Sequence, residues 1–329
     1  MVLVSETMLQ QTRVDQVIPY FQKFIIAFPK AETFVKASED NVLKIWEGLG
    51  YYTRAINLHK TVKIIMNKYG GSLPSEKSEL LKLPGIGHYT ANALLSLLFN
   101  KPYSVVDGNV IRVISRLFGI NIDTRLLSTR NIIQSQMDEL MDKDLPADFN
   151  ESIMDFGATL CLPKNPNCNS CPLNKLCFAN LNNQVNLLPF KSPNSKKPQI
   201  NLVAFIIRNK TKLLIVRRPL EGLLPGMWEF PCRKIEKTDQ LINGETKTLL
   251  KEFNIKAIYI KSLSTIKHTY SHFHLDLNSY LFQADNLRFV SEFYIQHRWI
   301  EIESLSDFAI HGAIQKLILK IKPQLKVVP

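Results

Sequence analysis

The hydrophobic period of this chain changes part-way along it, and no single layer of secondary structure accommodates both periods. Up to about Cys177 apolar residues recur at three- and four-residue spacing, as at Val42, Ile45, Trp46 and Leu49, or at Leu94, Leu95, Leu97 and Leu98. Segments there end at Gly48, at Gly70 and Gly71, at Pro84 and at Gly119, where a helix is readily stopped. Over residues 188–198 the composition turns to Pro, Lys, Ser and Asn, which reads as a linker with a basic tint. Beyond it, residues 202–207 and 212–216 flank a polar turn at Asn209, Lys210 and Thr211, the pattern of a β-hairpin. Residues 272–277 alternate in polarity, as a strand with one buried face does, and a last helix is expected over about 313–321. The expectation is a multidomain chain: an all-α domain over residues 1–180, a linker over 181–199 and an α+β domain over 200–329.

The length of 329 residues supports two separate cores. Basic residues outnumber acidic ones to give a net charge of +12, which favours a polyanionic partner, nucleic acid before membrane. No apolar run reaches the ~18 residues a membrane span needs, and the first residues lack the basic start and cleavage site of a secretion signal. A cytoplasmic protein without a membrane partner is expected.

Four of the five cysteines, Cys161, Cys168, Cys171 and Cys177, follow the spacing C-x6-C-x2-C-x5-C. Pro163, Pro166 and Pro172 force loops between them, so four thiolates can converge on one metal centre. A pair of disulfides is the alternative, and a reducing cytoplasm argues against it. On chemistry alone, zinc and an iron–sulfur cluster both remain open. Cys232 stands apart and reads as a small buried hydrophobe.

Leu83-Pro84-Gly85-Ile86-Gly87-His88-Tyr89-Thr90-Ala91 lies between two helical segments. Its glycines allow a tight reversal, and the exposed N–H groups that open the next helix favour an anion. An ordinary helix–helix turn is the bland reading. The other is a helix-hairpin-helix in which Gly85, Ile86 and Gly87 hold a DNA backbone without reading sequence.

With the four-cysteine stretch downstream, this segment resembles the helix-hairpin-helix base-excision DNA glycosylases related to endonuclease III. The resemblance, not the spacing, implies a [4Fe–4S] cluster on Cys161, Cys168, Cys171 and Cys177. Bifunctional members carry a lysine two residues after the second hairpin glycine; here Tyr89 stands there and offers no amine for a Schiff base. Ser5-Glu6-Thr7-Met8-Leu9-Gln10-Gln11-Thr12 and Gly48-Leu49-Gly50-Tyr51-Tyr52, followed by Arg54, are similar to motifs of the adenine DNA glycosylase branch.

That resemblance implies roles for two carboxylates. Glu6, on a largely apolar helix, would protonate adenine N7 and later activate water; Asp107 would stay ionised and stabilise an oxocarbenium-like sugar. Alone, Asp107 would read as a helix N-cap and Glu6 as a solvated helix residue. Tyr89 is expected beside the catalytic carboxylate, Asn109 against the reacting sugar, and Glu151 as acceptor from the adenine amine. Gln11 and Tyr52 are expected to fill or wedge the duplex at the lesion; Tyr51 reads as core, and Tyr52 taken alone could be core too.

Residues from about 200 onward resemble the Nudix-like C-terminal domain of the same branch, through Arg217-Arg218-Pro219 and Gly226-Met227-Trp228-Glu229-Phe230-Pro231. The Arg-Glu-x-x-Glu-Glu helix of a working Nudix hydrolase has no match near residues 245–253, so a binding fold is expected. Tyr270-Ser271-His272 resembles the branch's F-S-H loop, with Tyr replacing Phe, and is expected to probe 8-oxoguanine. His268, His272 and His274 read as surface or packing histidines rather than a metal site. The implied substrate is double-stranded DNA with adenine opposite 8-oxoguanine or guanine, bound by a monomer that is nucleoid-associated while on DNA. Glu6 stands almost at the start of the sequence, so the chain is expected to be short at its N-terminus. The rival readings are a lesion-binding relic that does not cleave and, less favoured, a bifunctional pyrimidine glycosylase/lyase.

Overall fold

Helix boundaries follow local chemistry. In the computed structural model, which describes residues 1–193, 197–235 and 252–325, the helices are α1 Val2–Leu9, α2 Val14–Ala27, α3 Ala31–Lys36, α4 Glu39–Trp46, α5 Thr53–Lys68, α6 Lys77–Leu80, α7 His88–Phe99, α8 Gly108–Phe118, α9 Leu127–Leu140, α10 Pro146–Thr159, α11 Phe178–Leu181 and α12 Gly312–Leu325. Ser38 Oγ caps α4 by accepting from Asn41 N at 3.2 Å, and Asp107 caps α8. Helix α8 ends at Gly119, whose left-handed φ of 69° and close approach to the Phe178 ring suit a residue without a Cβ.

The described residues form two compact units, one from 1–10 and 63–195, the other from 11–62 and 196–329. Packing thus groups residues 11–62 with the strand-rich part of the chain, whereas composition divides it at 181–199. In the first unit, Val110 and Ile114 of α8 pack on Ile133 and Met137 of α9, with Phe149, Ile153 and Met154 of α10 against them. Leu94 and Leu95 of α7 are fully buried. The first part of the expected linker is tied down: Arg116 Nε donates to Leu188 O at 3.0 Å, Thr124 N to Phe190 O at 3.1 Å, and Ser192 Oγ to Asp123 Oδ2 at 2.6 Å.

The second unit carries the strands β1 Gln199–Asn209, β2 Lys212–Arg217, β3 Trp228–Glu229, β4 Cys232–Lys234, β5 Ala257–Thr269, β6 His274–Ala284 and β7 Gln296–Glu301. They form one mixed sheet of order β3-β2-β1-β6-β5, with β4 pairing to β1 and β7 to β2; β1 and β6 run parallel. The expected hairpin is β1–β2, and Lys210 takes the left-handed φ of 53° in its turn. Val203, Phe205 and Ile207 face one core and Ala204 and Ile206 the other, so the sheet is buried on both sides at its centre. Leu317, Ile321 and Leu325 of α12 cover the second face.

Helix α4 joins this unit through its polar side. Asp40 Oδ1 accepts from Trp228 Nε1 at 3.2 Å and pairs with Arg217 at 3.2 Å, and Glu47 Oε1 accepts from Ile310 N at 2.7 Å. No helix of the described residues is long and apolar enough to cross a membrane.

Candidate active site and cysteine loop

Helix α1 buries Leu3, Thr7 and Met8, which carries Glu6 toward the start of α7. The Tyr89 hydroxyl donates to the Glu6 carboxyl, and Asp107 lies close enough to act on it by charge. Burial pushes the Glu6 pKa up, the Asp107 charge adds to the rise, and the Tyr89 bond opposes it. Glu6 Oε2 is buried with no hydrogen-bond partner. Tyr89 is itself pushed up, first by burial and then by the two carboxylates.

Asp107 is held differently. Its Oδ1 accepts from Val110 N at 2.7 Å and its Oδ2 from Asn109 Nδ2 at 3.1 Å. Burial raises its pKa too, but these bonds and the Arg112 charge pull the other way. The contrast between an orphaned oxygen on Glu6 and a well-bonded carboxylate on Asp107 is the basis for giving the two groups different roles.

Sequence reasoning missed two residues that hold this geometry. Arg112 Nη2 donates to Asn109 Oδ1 at 2.9 Å and to Gly157 O at 2.6 Å, and its Nε donates to Cys161 O at 2.7 Å. Gly157 lets α10 approach closely, because a Cβ there would stand 2.6 Å from Asn109 Cβ. An arginine three residues after Asn109, one helical turn along α8, was the available signal for Arg112.

Gly85 takes φ 77° and Gly87 precedes α7 with open space where a Cβ would lie, so both present backbone outward. Ile86 is buried, leaving only its backbone for a ligand. Glu151 is exposed on α10 and makes no hydrogen bond or ion pair with Glu6, Tyr89 or Asp107 among the described residues. Its neighbour Asn150 is buried and fastens α10 by accepting from Val105 N at 2.9 Å and donating to Ser96 Oγ at 2.8 Å.

The paired tyrosines reverse the sequence expectation. Tyr52 is 5% exposed, its hydroxyl accepts from Gly48 N at 3.4 Å, and burial pushes its pKa up to about 12, so it is core and not placed to wedge a duplex. Tyr51, read as core, is exposed. Left-handed backbone at Gly50 and Tyr51, φ 78° and 49°, turns its side chain outward. The Tyr51 hydroxyl donates to Ser271 Oγ at 3.0 Å, and its ring meets His272 edge-on at 6.5 Å. Gln11 is exposed with φ 59°, a conformation rare for this residue type. Ser271 and His272 are exposed and Tyr270 is half-buried. Among the described residues no group of three or more His, Cys, Asp and Glu is arranged to hold a metal ion. Most of the stretch compared with the Nudix helix, near 245–253, lies outside the described residues.

All four clustered thiols line one cavity with Val113, Phe156, Leu160 and Leu173, and none is in a disulfide. Arg116 Nη1 stands 3.4 Å from Cys161 Sγ. Burial and the three neighbouring sulfurs push the Cys168 thiol up. Four thiols lining one cavity, with a guanidinium at its edge, form a donor set whose chemistry fits thiolate ligation of a metal centre.

Two family models match the chain: the HhH-GPD superfamily base excision DNA repair protein over residues 4–138, and the NUDIX domain over 203–320. An adenine DNA glycosylase of Buchnera aphidicola subsp. Acyrthosiphon pisum is 33% identical across 98% of this chain and 90% of its own length. The chain belongs to the adenine DNA glycosylase family. The human adenine DNA glycosylase is 30% identical, across 96% of this chain and 67% of its own. Among solved structures, a thermostable thymine-DNA glycosylase is 30% identical, covering 55% of this chain and 83% of its own with a TM-score of 0.50. The family's two parts, a helical glycosylase domain and a Nudix-like domain, therefore account for both halves of the fold.

Proposed function

We propose that this chain is a monofunctional glycosylase that removes adenine lying opposite 8-oxoguanine or guanine in duplex DNA. The observation that carries the reading is the pairing of Glu6 and Asp107: two half-buried carboxyls, one with an orphaned oxygen and one with both oxygens hydrogen-bonded, beside Tyr89 where a lyase needs an amine. In this reading residues 1–180 supply base removal and residues 200–329 recognition of the opposite base.

The target nucleotide leaves the stack at a cost of a few kcal/mol. The Glu6 carboxyl gives its proton to adenine N7, the glycosidic bond breaks, and its electron pair leaves with the base. Asp107 stabilises the positive charge that develops on the sugar. The Glu6 carboxylate then takes a proton from water as the water adds to the sugar, leaving free adenine and an abasic site. Tyr89 orients Glu6, Asn109 holds Asp107 beside the sugar, and Glu151 accepts from the adenine amine. The backbone around Gly85 and Gly87 grips phosphate, and the net charge of +12 adds salt-sensitive affinity. The exposed side chains of Gln11 and Tyr51, each on left-handed backbone, take the wedging role.

Cys161, Cys168, Cys171 and Cys177 would hold a [4Fe–4S] cluster, which when bound supplies a one-electron redox centre and four links that pin the loop. Cys168→Ala is expected to reduce bound iron and lower the thermal midpoint. Unchanged iron content and midpoint in this variant would remove the cluster from the account.

Single-turnover release of adenine from three duplexes tests the function. The rate is expected to be highest opposite 8-oxoguanine, lower opposite guanine and negligible opposite thymine. Equal release from all three would contradict the reading.

A further inference from the structure

The turn that carries Ser271 is the tip of the β5–β6 hairpin. Thr269 faces His274 across the ladder, and Tyr270 N donates to Phe273 O at 2.9 Å, so residues 270–273 close a four-residue turn. Its outer residues point in and its central residues point out. Phe273 is buried in the sheet core, and the Tyr270 ring lies 4.8 Å from the Phe273 ring and 4.4 Å from that of His268. Ser271 and His272 are left exposed at the tip.

A phenylalanine ring would fill the same space as the Tyr270 ring, so packing does not explain the hydroxyl. A buried hydroxyl is costly unless bonded, and this one meets His311 Nδ1 at 2.9 Å. His311 is 4% exposed and presents Nε2 to Glu229 Oε2 at 3.0 Å. Glu229, 3% exposed, also accepts from Arg218 Nη1 at 2.9 Å and from the Tyr294 hydroxyl at 3.1 Å. Burial alone would push the Glu229 carboxyl up, but hydrogen bonding from His311 and the Arg218 charge hold it below its usual range. With Nε2 turned to Glu229, Nδ1 is the ring nitrogen that meets the Tyr270 hydroxyl, so one imidazole links the two groups. On the exposed side, Ser271 Oγ is met by the Tyr51 hydroxyl.

We infer that Tyr270 and His311 are positioning residues for discrimination of the base opposite adenine: the Tyr270 hydroxyl, held through His311 by buried Glu229, fixes where Ser271 presents its own hydroxyl. The inference rests on the reading of residues 270–272 as the opposite-base turn.

The test uses the full chain and compares adenine release opposite 8-oxoguanine with release opposite guanine. Tyr270→Phe, which keeps the ring and its packing, is expected to lower the ratio of the two rates by about 3- to 10-fold, the range of one lost hydrogen bond. His311→Ala is expected to lower it by a similar factor, and the double variant by no more than the larger single effect. Ser271→Ala separates the inference from the reading beneath it. If the unsubstituted chain has no preference, or Ser271→Ala leaves the preference intact, the reading fails and the inference with it. If Ser271→Ala lowers the ratio and Tyr270→Phe does not, the inference alone is overturned. An equal fall on both duplexes in Tyr270→Phe marks general destabilisation and overturns it too. Should His311→Ala not fold, Tyr270→Phe decides by itself.

Discussion

Replacing Glu6 by Gln is expected to slow adenine release by about 10^2–10^4-fold, the usual contribution of a positioned general acid. The amide keeps the size of the side chain and the acceptor for Tyr89 but has no proton of suitable acidity to give. The pH dependence should change as well. Glu6 is raised above 4.5 chiefly by burial, so its acid form persists above the ordinary carboxyl range and falls away as pH rises through the raised pKa. The unsubstituted chain should lose activity along that limb, and Glu6→Gln should lack it. Stability should move the opposite way from activity. A carboxyl with a raised folded pKa contributes stability below its unfolded pKa that is lost as pH rises through the folded one. The variant should therefore have the higher thermal midpoint near neutral pH, with the gain vanishing in acid. A rate equal to that of the unsubstituted chain would end the acid assignment, and an unchanged neutral midpoint would contradict the burial argument.

Asp107 does two things that substitution can separate. It caps α8 through Oδ1 and, in the proposed reaction, faces the sugar with its charge. Asparagine is as good a cap as aspartate, so Asp107→Asn should keep a thermal midpoint near that of the unsubstituted chain. Without the negative charge, release should fall by about 10^2–10^3-fold, the scale of losing one preorganised electrostatic group. Asp107→Ala should lose the cap as well, at a further cost of about 0.5–2 kcal/mol in stability. Full activity in the asparagine variant, measured as single-turnover release, would leave Asp107 a cap and nothing more.

The hairpin around Lys210 was legible because period two and a polar turn suffice to specify it. The partnership of Glu6 and Asp107 was not legible from either residue alone, since each has an ordinary place on a helix. Only the motif resemblance paired them; packing of α1 on α7 brings Glu6 to Tyr89, within reach of the Asp107 charge. The burial of Tyr51 and Tyr52 was misjudged because hydrophobic period loses its meaning where the backbone turns left-handed at Gly50 and Tyr51. Residues 188–192 looked like free linker because composition reports polarity and not which groups hold the carbonyls; Arg116 and Thr124 hold those of Leu188 and Phe190. Asp40 and Glu47 bond to Trp228 and Ile310 far along the chain. Those partners are fixed by tertiary packing, which no local pattern encodes.

The most direct test of the account follows the full chain on a duplex with adenine opposite 8-oxoguanine, scoring free adenine and strand breaks with and without alkali. Tyr89 in the position of the lyase amine predicts stoichiometric adenine release, with strand breaks only after alkali. Breaks without alkali, or alkali-labile sites formed without free adenine, would contradict it.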